Sequence, residues 1–307
     1  MLAGCFFLFF VYREEVTAGV CEGLLQWYRL VLPTLFPFML LVNLMIQTNS
    51  IHLISRVTGP ILRLLPGITK TGSFVLLTGF LCGYPMGAKV SADLVRKGAI
   101  SRQEGAFLLS FCNNSSPMFI SGVFLSSAVT DQKLTLPLFV ILSASPLLCG
   151  QLFRYLPAAE KSRREKLPFT GRQLHTARTT QQDLFQSFDA SLTDACDSIV
   201  KVGLYMLVCS IFLHLLRAAL PWDGIIKELL LSSLEVTGGI FIIRSLTLPL
   251  RIKYALLAGL ISFGGWCAVF QTGAMLRDSG LKLGPYIMEK LVTASVTSLI
   301  TYLYLLR

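Results

Sequence analysis

Apolar runs long enough to cross a lipid bilayer recur from one end of this 307-residue chain to the other. The clearest is residues Leu134 to Phe153, and about 20 apolar residues suffice for one transmembrane helix. Hydrophobic residues make up 53% of the chain and charged residues only 14%, whereas soluble domains carry about 25% charged residues. In lipid every backbone polar group must be satisfied internally, and helices achieve this. The sequence therefore predicts an all-α polytopic membrane protein with one membrane domain, residues 1–307.

Basic residues are densest between residues 154 and 183, where seven lysines and arginines are offset by three acidic residues. Cytoplasmic loops of membrane proteins carry an excess of lysine and arginine, so we expect a cytoplasmic loop over residues 154–186. This loop would separate a first half, residues 16–153, from a second half, residues 187–307. The net charge of +10 has the same origin and does not indicate a nucleic-acid partner, because the basic residues do not share one face with aromatic residues.

Local signals predict several helix ends. Gly98 predicts a helix C-terminus, and Ser101 with Glu104 matches the capping box of a following helix. Residues 1–12 are too few for a full span, and residues 51–70 are broken and charged, so both predict partial or interfacial segments. Further apolar runs cover residues 24–46, 199–216, 225–246, 254–276 and 287–306. Two prolines should kink the first of these. We expect a break at Gly238-Gly239 in the third and at Gly264-Gly265 in the fourth.

Two polar, helix-breaking strings interrupt the first half: Gly83-Tyr84-Pro85-Met86-Gly87-Ala88-Lys89 and Asn113-Asn114-Ser115-Ser116-Pro117. Backbone released from a helix at membrane depth is tolerated only where protein buries it or where it lines a water-filled cavity. We therefore expect a solute to bind at these two strings.

The first string is typical of an anion site. Pro85 suits the first turn of a helix, and Gly83 and Gly87 allow the backbone to approach a ligand closely. A helix N-terminus attracts anions, and Lys89 would add a full positive charge, so the pattern suits a carboxylate. The alternative is that Lys89 pairs with Asp93 one turn away while the glycines only allow close helix packing.

The second string places four consecutive polar side chains where a membrane span should be apolar. Asn113, Asn114, Ser115 and Ser116 could orient a polar solute or a partly dehydrated ion. Two alternatives stay open: a hydrogen-bond network between helices, and a loop at the bilayer edge.

The second half offers matching candidates. Glu235, with Thr237, lies within an apolar run and could bind a coupling ion, H⁺ or Na⁺. The alternatives are that Glu235 pairs with Lys227 or Arg244, or that it simply lies at the membrane interface. Residues 258–266 echo residues 78–84, and paired interrupted segments in two halves indicate a transporter site. That echo adds four residues to the candidate site: Gly264, Gly265, Trp266 and Gln271. Trp266 is either a platform on which an aromatic solute stacks or an anchor at the membrane interface.

Chemistry beyond binding is not indicated. The eight cysteines form no CxxC pair, and His214 stands alone in an apolar run, as core or interfacial histidines do. Neither Ser115 nor Ser116 lies in a G-x-S-x-G elbow, and the HExxH and Walker A patterns are absent. We expect no enzyme activity, no cofactor and no bound metal other than a coupling ion.

Several stretches resemble the sporulation integral membrane proteins of the nucleoside-recognition, or Gate-domain, family. They are residues 83–89, 98–101, 111–120, 32–38 and 235–239. The resemblance implies a spore-forming bacterium and a multi-pass protein of the cell membrane, in the mother-cell-derived forespore membrane. Gate-domain proteins are similar to concentrative nucleoside transporters, which implies two related, inverted halves with re-entrant or broken helices.

The same resemblance implies transport of dipicolinate, a small aromatic dicarboxylate, by alternating access. Two alternatives stay open: a nucleoside transporter, and a non-transporting structural or signalling protein of the spore envelope. Partners would be the solute and the bilayer, with a homo-oligomer or spore-envelope proteins as further candidates.

Overall fold

The structure, a computed structural model, describes residues 2–48, 50, 68–125, 129, 131–153 and 181–306. Throughout these ranges the regular elements are helices, without strands, as the apolar runs predict. The helices before residue 154 are α1 (Leu2–Val11), α2 (Arg13–Gln26), α3 (Leu32–Gln47), α4 (Lys70–Cys82), α5 (Met86–Arg96), α6 (Arg102–Cys112), α7 (Pro117–Phe119) and α8 (Gln132–Phe153). After residue 180 follow α9 (Gln181–Ala219), α10 (Ile225–Ser232), α11 (Val236–Ser245), α12 (Leu250–Phe263), α13 (Gly265–Met275) and α14 (Leu283–Tyr304). Most of the expected interfacial segment 51–70 and of the cytoplasmic loop 154–186 lies outside the described residues.

Four described helical stretches are long and apolar enough to cross a membrane, which confirms the membrane class. They are Arg13–Gln47, Gln132–Phe153, Leu184–Ala219 and Leu250–Met275. The first joins α2 to α3 through a π-helical segment, Trp27–Val31. This wide turn directly precedes Pro33 and Pro37, which lack the backbone donors that a regular α-helix would need there.

The long helix α9 packs along α2 and α3. Glycines of α2 bring the two backbones together: a Cβ on Gly19 would lie 2.8 Å from the Cα of Ile211. The indole nitrogen of Trp27 donates to the carbonyl of Ile199 on α9 over 3.1 Å. Small residues at helix contacts are the usual way membrane helices approach closely.

The end of α5 and the start of α6 lie where the sequence predicts them. Gly98 has φ of +67°, and the amide of Ala99 donates to the carbonyl of Leu94 over 2.9 Å, which closes α5. Ser101 caps α6 by accepting from the amide of Glu104 over 3.1 Å. The capping box is only half formed, because the Glu104 carboxylate accepts from the amide of Thr69 instead, over 2.6 Å.

Four short interruptions separate helices that follow one another directly. We name them break A (residues 83–85, between α4 and α5), break B (113–116, between α6 and α7), break C (233–235, between α10 and α11) and break D (Gly264, between α12 and α13). The prediction of a break at Gly238-Gly239 was wrong in position, since both glycines lie inside α11. The helix instead starts at Val236, because the Glu235 side chain caps it.

The order of elements is the same before and after α9. Two interrupted helix pairs are followed by a 22-residue helix, first α4 to α8 and then α10 to α14. By this order break A corresponds to break C and break B to break D. That pairing differs from the sequence echo, which placed residues 78–84 opposite residues 258–266.

Candidate functional site

A cavity of about 220 Å³ is lined by residues from all four breaks. Breaks A and B contribute Gly83, Tyr84, Ser115 and Ser116; breaks C and D contribute Glu235 and Gly264. The remaining wall comes from the α2–α3 stretch, the end of α4, the α7 region, α9, α11 and α13: Arg29, Leu30, Val31, Thr34, Leu35, Cys82, Met118, Phe119, Gly122, Val123, Val202, Met206, Val236, Thr237, Cys267, Ala268 and Gln271. A mostly apolar wall with a few polar groups is the usual composition of a small-molecule site.

Breaks A and B lie directly against each other, and glycines make this contact. The amide of Tyr84 donates to the carbonyl of Asn114 over 2.7 Å. A Cβ on Gly83 would lie 2.8 Å from the amide nitrogen of Ser116, and a Cβ on Gly87 would lie 2.9 Å from the Cα of Asn113. These glycines therefore allow one backbone to approach another, which is the packing role that the sequence left open.

The serines of break B face the cavity. Ser116 caps α7 by accepting from the amide of Phe119 over 3.2 Å. The Ser115 hydroxyl donates to the carbonyl of Ile261 on α12 over 2.9 Å and lies 3.3 Å from the Tyr84 hydroxyl. Break B is thus fastened to the helix that leads into break D.

The two asparagines of break B do not line the cavity. The Asn113 amide donates to the hydroxyls of Thr272 and Tyr286, each over 2.8 Å, and its oxygen accepts from the amide of Ala88. The Asn114 oxygen accepts from the Lys290 ammonium. The hydrogen-bond network between helices that the sequence left open is therefore present here.

Break C is joined through its backbone to the first residues of α13, directly after break D. The amides of Trp266 and Cys267 donate to the carbonyls of Ser233 and Leu234, each over 2.8 Å. Gly264 and Gly265 have φ of +86° and +77°, a conformation that favours glycine. Each half of the chain therefore holds its two breaks together by backbone hydrogen bonds.

Glu235 is buried beside the cavity with both carboxylate oxygens in use. One accepts from the amide of Thr237 over 2.9 Å and the other from the amide of Gly238 over 2.7 Å. The alternative pair with Lys227 is not formed, because that ammonium donates to Asp223 and to the carbonyl of Leu220. A carboxylate at a helix N-terminus is stabilised by the amides it accepts from.

Lys89 is buried away from the cavity and carries three hydrogen bonds. Its ammonium donates to Asp93 over 3.1 Å, to Asp194 of α9 over 2.8 Å and to Asn43 of α3 over 3.2 Å. The pair with Asp93 is the sequence alternative, whereas nothing in the sequence singled out Asp194 or Asn43. Lys89 thus joins α3, α5 and α9.

Of the remaining predicted site residues, some line the cavity and others lie behind its lining. Gln271 is buried and lines the cavity, with its amide 3.1 Å from the Cys267 sulfur. Trp266 does not line the cavity; its ring meets Phe263 edge-on with centroids 5.6 Å apart. Pro85 and Gly265 also lie outside the lining.

Sequence reasoning missed one cation of the site. Among the described residues that line the cavity, Arg29 is the single lysine or arginine, and its exposed side chain places it at the rim. The signal was present, because a charge inside an apolar run is a functional candidate by default. Elsewhere in the described ranges, no cluster of three histidine, cysteine or acidic side chains could hold a metal ion.

Comparison with known proteins gives a homologue. The chain is 26% identical over 296 residues to the sporulation integral membrane protein YlbJ of Bacillus subtilis (strain 168). The aligned region covers 88% of this chain and 72% of that protein. No family model and no solved structure matches the chain. An integral membrane homologue and four apolar helices together support a membrane location.

Proposed function

We propose that this chain is a multi-pass transporter that moves a small anionic aromatic solute, dipicolinate or a close analogue, by alternating access during spore maturation. The observation that carries the proposal is one cavity lined by all four helix breaks. Interrupted helices in transporters place helix ends and free backbone groups around a solute near the middle of the bilayer. The sporulation role rests on the homologue's name and on the resemblance in breaks A and B. The membrane would be the mother-cell-derived membrane around the forespore.

The repeated element order supports two related halves that move against each other. Break A bonds to break B, and break C bonds to the start of α13 beside break D. Break B also bonds to α12, α13 and α14, so movement of one half against the other would have to break these hydrogen bonds. We propose that these halves are inverted repeats, as in the nucleoside transporters that the family resembles. Rocking of one unit against the other would expose the cavity to each side in turn.

The size of the cavity favours a small solute, and Arg29 at its rim offers a cation to a solute carboxylate. A volume of about 220 Å³ lies below the roughly 300 Å³ at which pockets for drug-sized ligands begin, so a single aromatic ring fits better than a larger solute. We assign the solute carboxylate to Arg29, since Lys89 is already bonded to two aspartates. A guanidinium binds a carboxylate through two parallel hydrogen bonds.

Glu235 gives the proposal a coupling site. A carboxylate that lines the same cavity would repel an anionic solute, and binding of H⁺ or Na⁺ to Glu235, next to Thr237, would remove that repulsion. The cycle needs no cofactor and no covalent step. Assembly with a second copy or with spore-envelope proteins would be compatible with it.

The test is solute uptake by proteoliposomes that contain the purified protein. We expect uptake of radiolabelled dipicolinate above that of nucleosides. Arg29→Ala should reduce uptake at low solute concentration at least tenfold, Arg29→Lys should retain part of it, and the exposed Arg251→Ala should leave it unchanged.

The outcomes separate the functions. Preferred uptake of nucleosides would favour the nucleoside transporter. Flux of neither solute class by correctly inserted protein would contradict transport and favour the structural or signalling protein. Full uptake by Arg29→Ala would remove Arg29 from the site while leaving the transporter in place.

A further inference from the structure

The buried face of α14 is entirely polar. Its buried residues are Tyr286, Lys290, Thr293, Thr297 and Thr301, and each is at most 1% exposed. The opposite face is apolar and open, with Met288 62% and Leu299 57% exposed. Polar side chains that face the interior of a membrane bundle mark ion and proton pathways.

Lys290 is the unusual member of this face. It is completely buried, its ammonium donates to the Asn114 oxygen, and it lies 5.8 Å from the centroid of the Tyr286 ring. Among the described residues no carboxylate lies within ion-pair distance of Lys290, whereas the buried Lys89 and Lys227 each have at least one.

An ammonium in this position is costly to keep charged. An isolated charge loses far more free energy on leaving water than one amide hydrogen bond returns. A cation over an aromatic ring gains only about 2 kcal/mol of stabilisation. The contacts of Lys290 therefore compensate only part of the cost of burying its ammonium.

The groups around Lys290 include one carboxylate, which is not ion-paired with it. The titratable neighbours are Cys112 of α6, Cys149 of α8, and Tyr286 and the partly buried Glu289 of α14 itself. From α13 the nearby polar group is the Thr272 hydroxyl, which lies 3.5 Å from that of Tyr286. The thiols and hydroxyls can accept hydrogen bonds but do not neutralise an ammonium, and Glu289 attracts it only beyond ion-pair distance.

Lys290 is connected to the cavity by two hydrogen bonds. The Asn114 side chain accepts from Lys290, and the Asn114 carbonyl accepts from the amide of Tyr84, which lines the cavity. A hydrogen bond from an ammonium is roughly twice as strong as one from a neutral amine. A change in the proton on Lys290 therefore changes how firmly break B is held against α14.

The threonines continue the polar face away from Lys290. Thr293, Thr297 and Thr301 extend it by about 16 Å along the helix axis. The Thr297 hydroxyl also donates to that of Ser262 on α12, over 3.1 Å. Each of the three threonine hydroxyls also donates to a backbone carbonyl of α14 one turn earlier, so they line the α12–α14 contact as separate polar groups.

We propose that Lys290 binds and releases the coupling proton of the transport cycle. The proton adds to the Lys290 amine from one side of the membrane and leaves the resulting ammonium to the other side, with no other bond changed. This proposal rests on the proposed transport function, and it assigns the coupling proton to Lys290 rather than to Glu235.

The experiment compares two assays in the same proteoliposomes, with the membrane potential clamped at zero. The first is exchange of labelled against unlabelled dipicolinate at equal pH, which requires transport but no net proton movement. The second is accumulation driven by a pH gradient, which for one coupled proton is about tenfold per pH unit. The variants are Lys290→Met and Lys290→Gln, Lys290→Arg, which keeps a permanent charge, and the exposed Lys282→Met as control.

We expect the wild type and Lys282→Met to show exchange and gradient-driven accumulation. Lys290→Met, Lys290→Gln and Lys290→Arg should retain exchange and lose accumulation. Where Lys290→Met is too unstable to purify, Lys290→Gln carries the test, because its amide still reaches a hydrogen-bond partner.

Each other result is decisive. Accumulation that survives in Lys290→Gln, or full coupling in Lys290→Arg, would overturn the proton role and leave Lys290 as a fixed anchor of Asn114. Loss of exchange together with accumulation in every folded Lys290 variant would overturn it as well. Absence of exchange in the wild type would contradict the transporter itself.

Discussion

Replacing Gly83 by alanine tests whether breaks A and B are held in direct backbone contact. Gly83 has φ of +78° and ψ of −167°, a conformation that costs other residues about 1–3 kcal/mol. The added Cβ would also lie 2.8 Å from the amide nitrogen of Ser116 and 3.0 Å from the carbonyl oxygen of Asn114. Overpacking of this kind adds about 1–3 kcal/mol, because backbone rather than a flexible side chain must move.

Alanine also lowers the conformational entropy of the unfolded chain, which offsets the loss of stability by about 0.4–1 kcal/mol. The net expectation for Gly83→Ala is a loss of about 1–5.6 kcal/mol in the free energy of unfolding. Unfolding of purified protein by SDS in mixed detergent micelles measures this loss as a lower midpoint.

Gly284→Ala is the matched control. Gly284 lies in α14 at negative φ, and no atom comes within 4 Å of an added Cβ, so alanine should be neutral or stabilising by up to about 1 kcal/mol. Equal midpoints for the two variants would refute the reasoning, since they would mean that breaks A and B have room between them.

Two further expectations concern stability. Lys89→Met should lower the free energy of unfolding by about 2–4 kcal/mol, because it removes the buried cation that pairs with two aspartates. Asp194→Asn should lower it by only about 1 kcal/mol, since the Asp194 side chain is 46% exposed. The same SDS titration compares them, and a larger loss for Asp194→Asn would contradict the anchoring role of Lys89. Ser101→Ala should cost about 1 kcal/mol, because the amide of Glu104 loses its cap. The exposed Ser295→Ala should have little effect, and equal losses in the two serine variants, read from thermal unfolding in detergent, would argue against the cap.

Features that depend on neighbouring residues could be predicted from the sequence. The stop at Gly98, the cap at Ser101 and break D at Gly264-Gly265 all follow from local backbone preferences of glycine and serine. Breaks A and B were recognised because glycine, proline and polar residues interrupted apolar runs. Break C was misplaced because the Gly238-Gly239 pair drew the prediction, whereas the capping carboxylate of Glu235, an uncommon residue at that position, ends the interruption.

Features that depend on distant residues could not be predicted. Asp194, the partner of Lys89, lies 105 positions further along the chain. Asn114, the partner of Lys290, lies 176 positions before it. The sequence could not show which charged side chain lies at a cavity, so Lys89 was chosen and Arg29 was not considered. Helix packing decides that choice, and helix packing depends on residues from every part of the chain.

The polar face of α14 affects how the chain enters the membrane. A helix is inserted as a span according to the cost of placing its residues in lipid, and a central lysine adds about 3 kcal/mol to that cost. α14 is 22 residues long, yet it is not among the four helical stretches apolar enough to be recognised by hydropathy. Its stable insertion therefore depends on α8 and α12, which pack against it and shield the lysine and threonines from lipid. We therefore expect α14 to insert only once α8 and α12, which precede it in the chain, are in place.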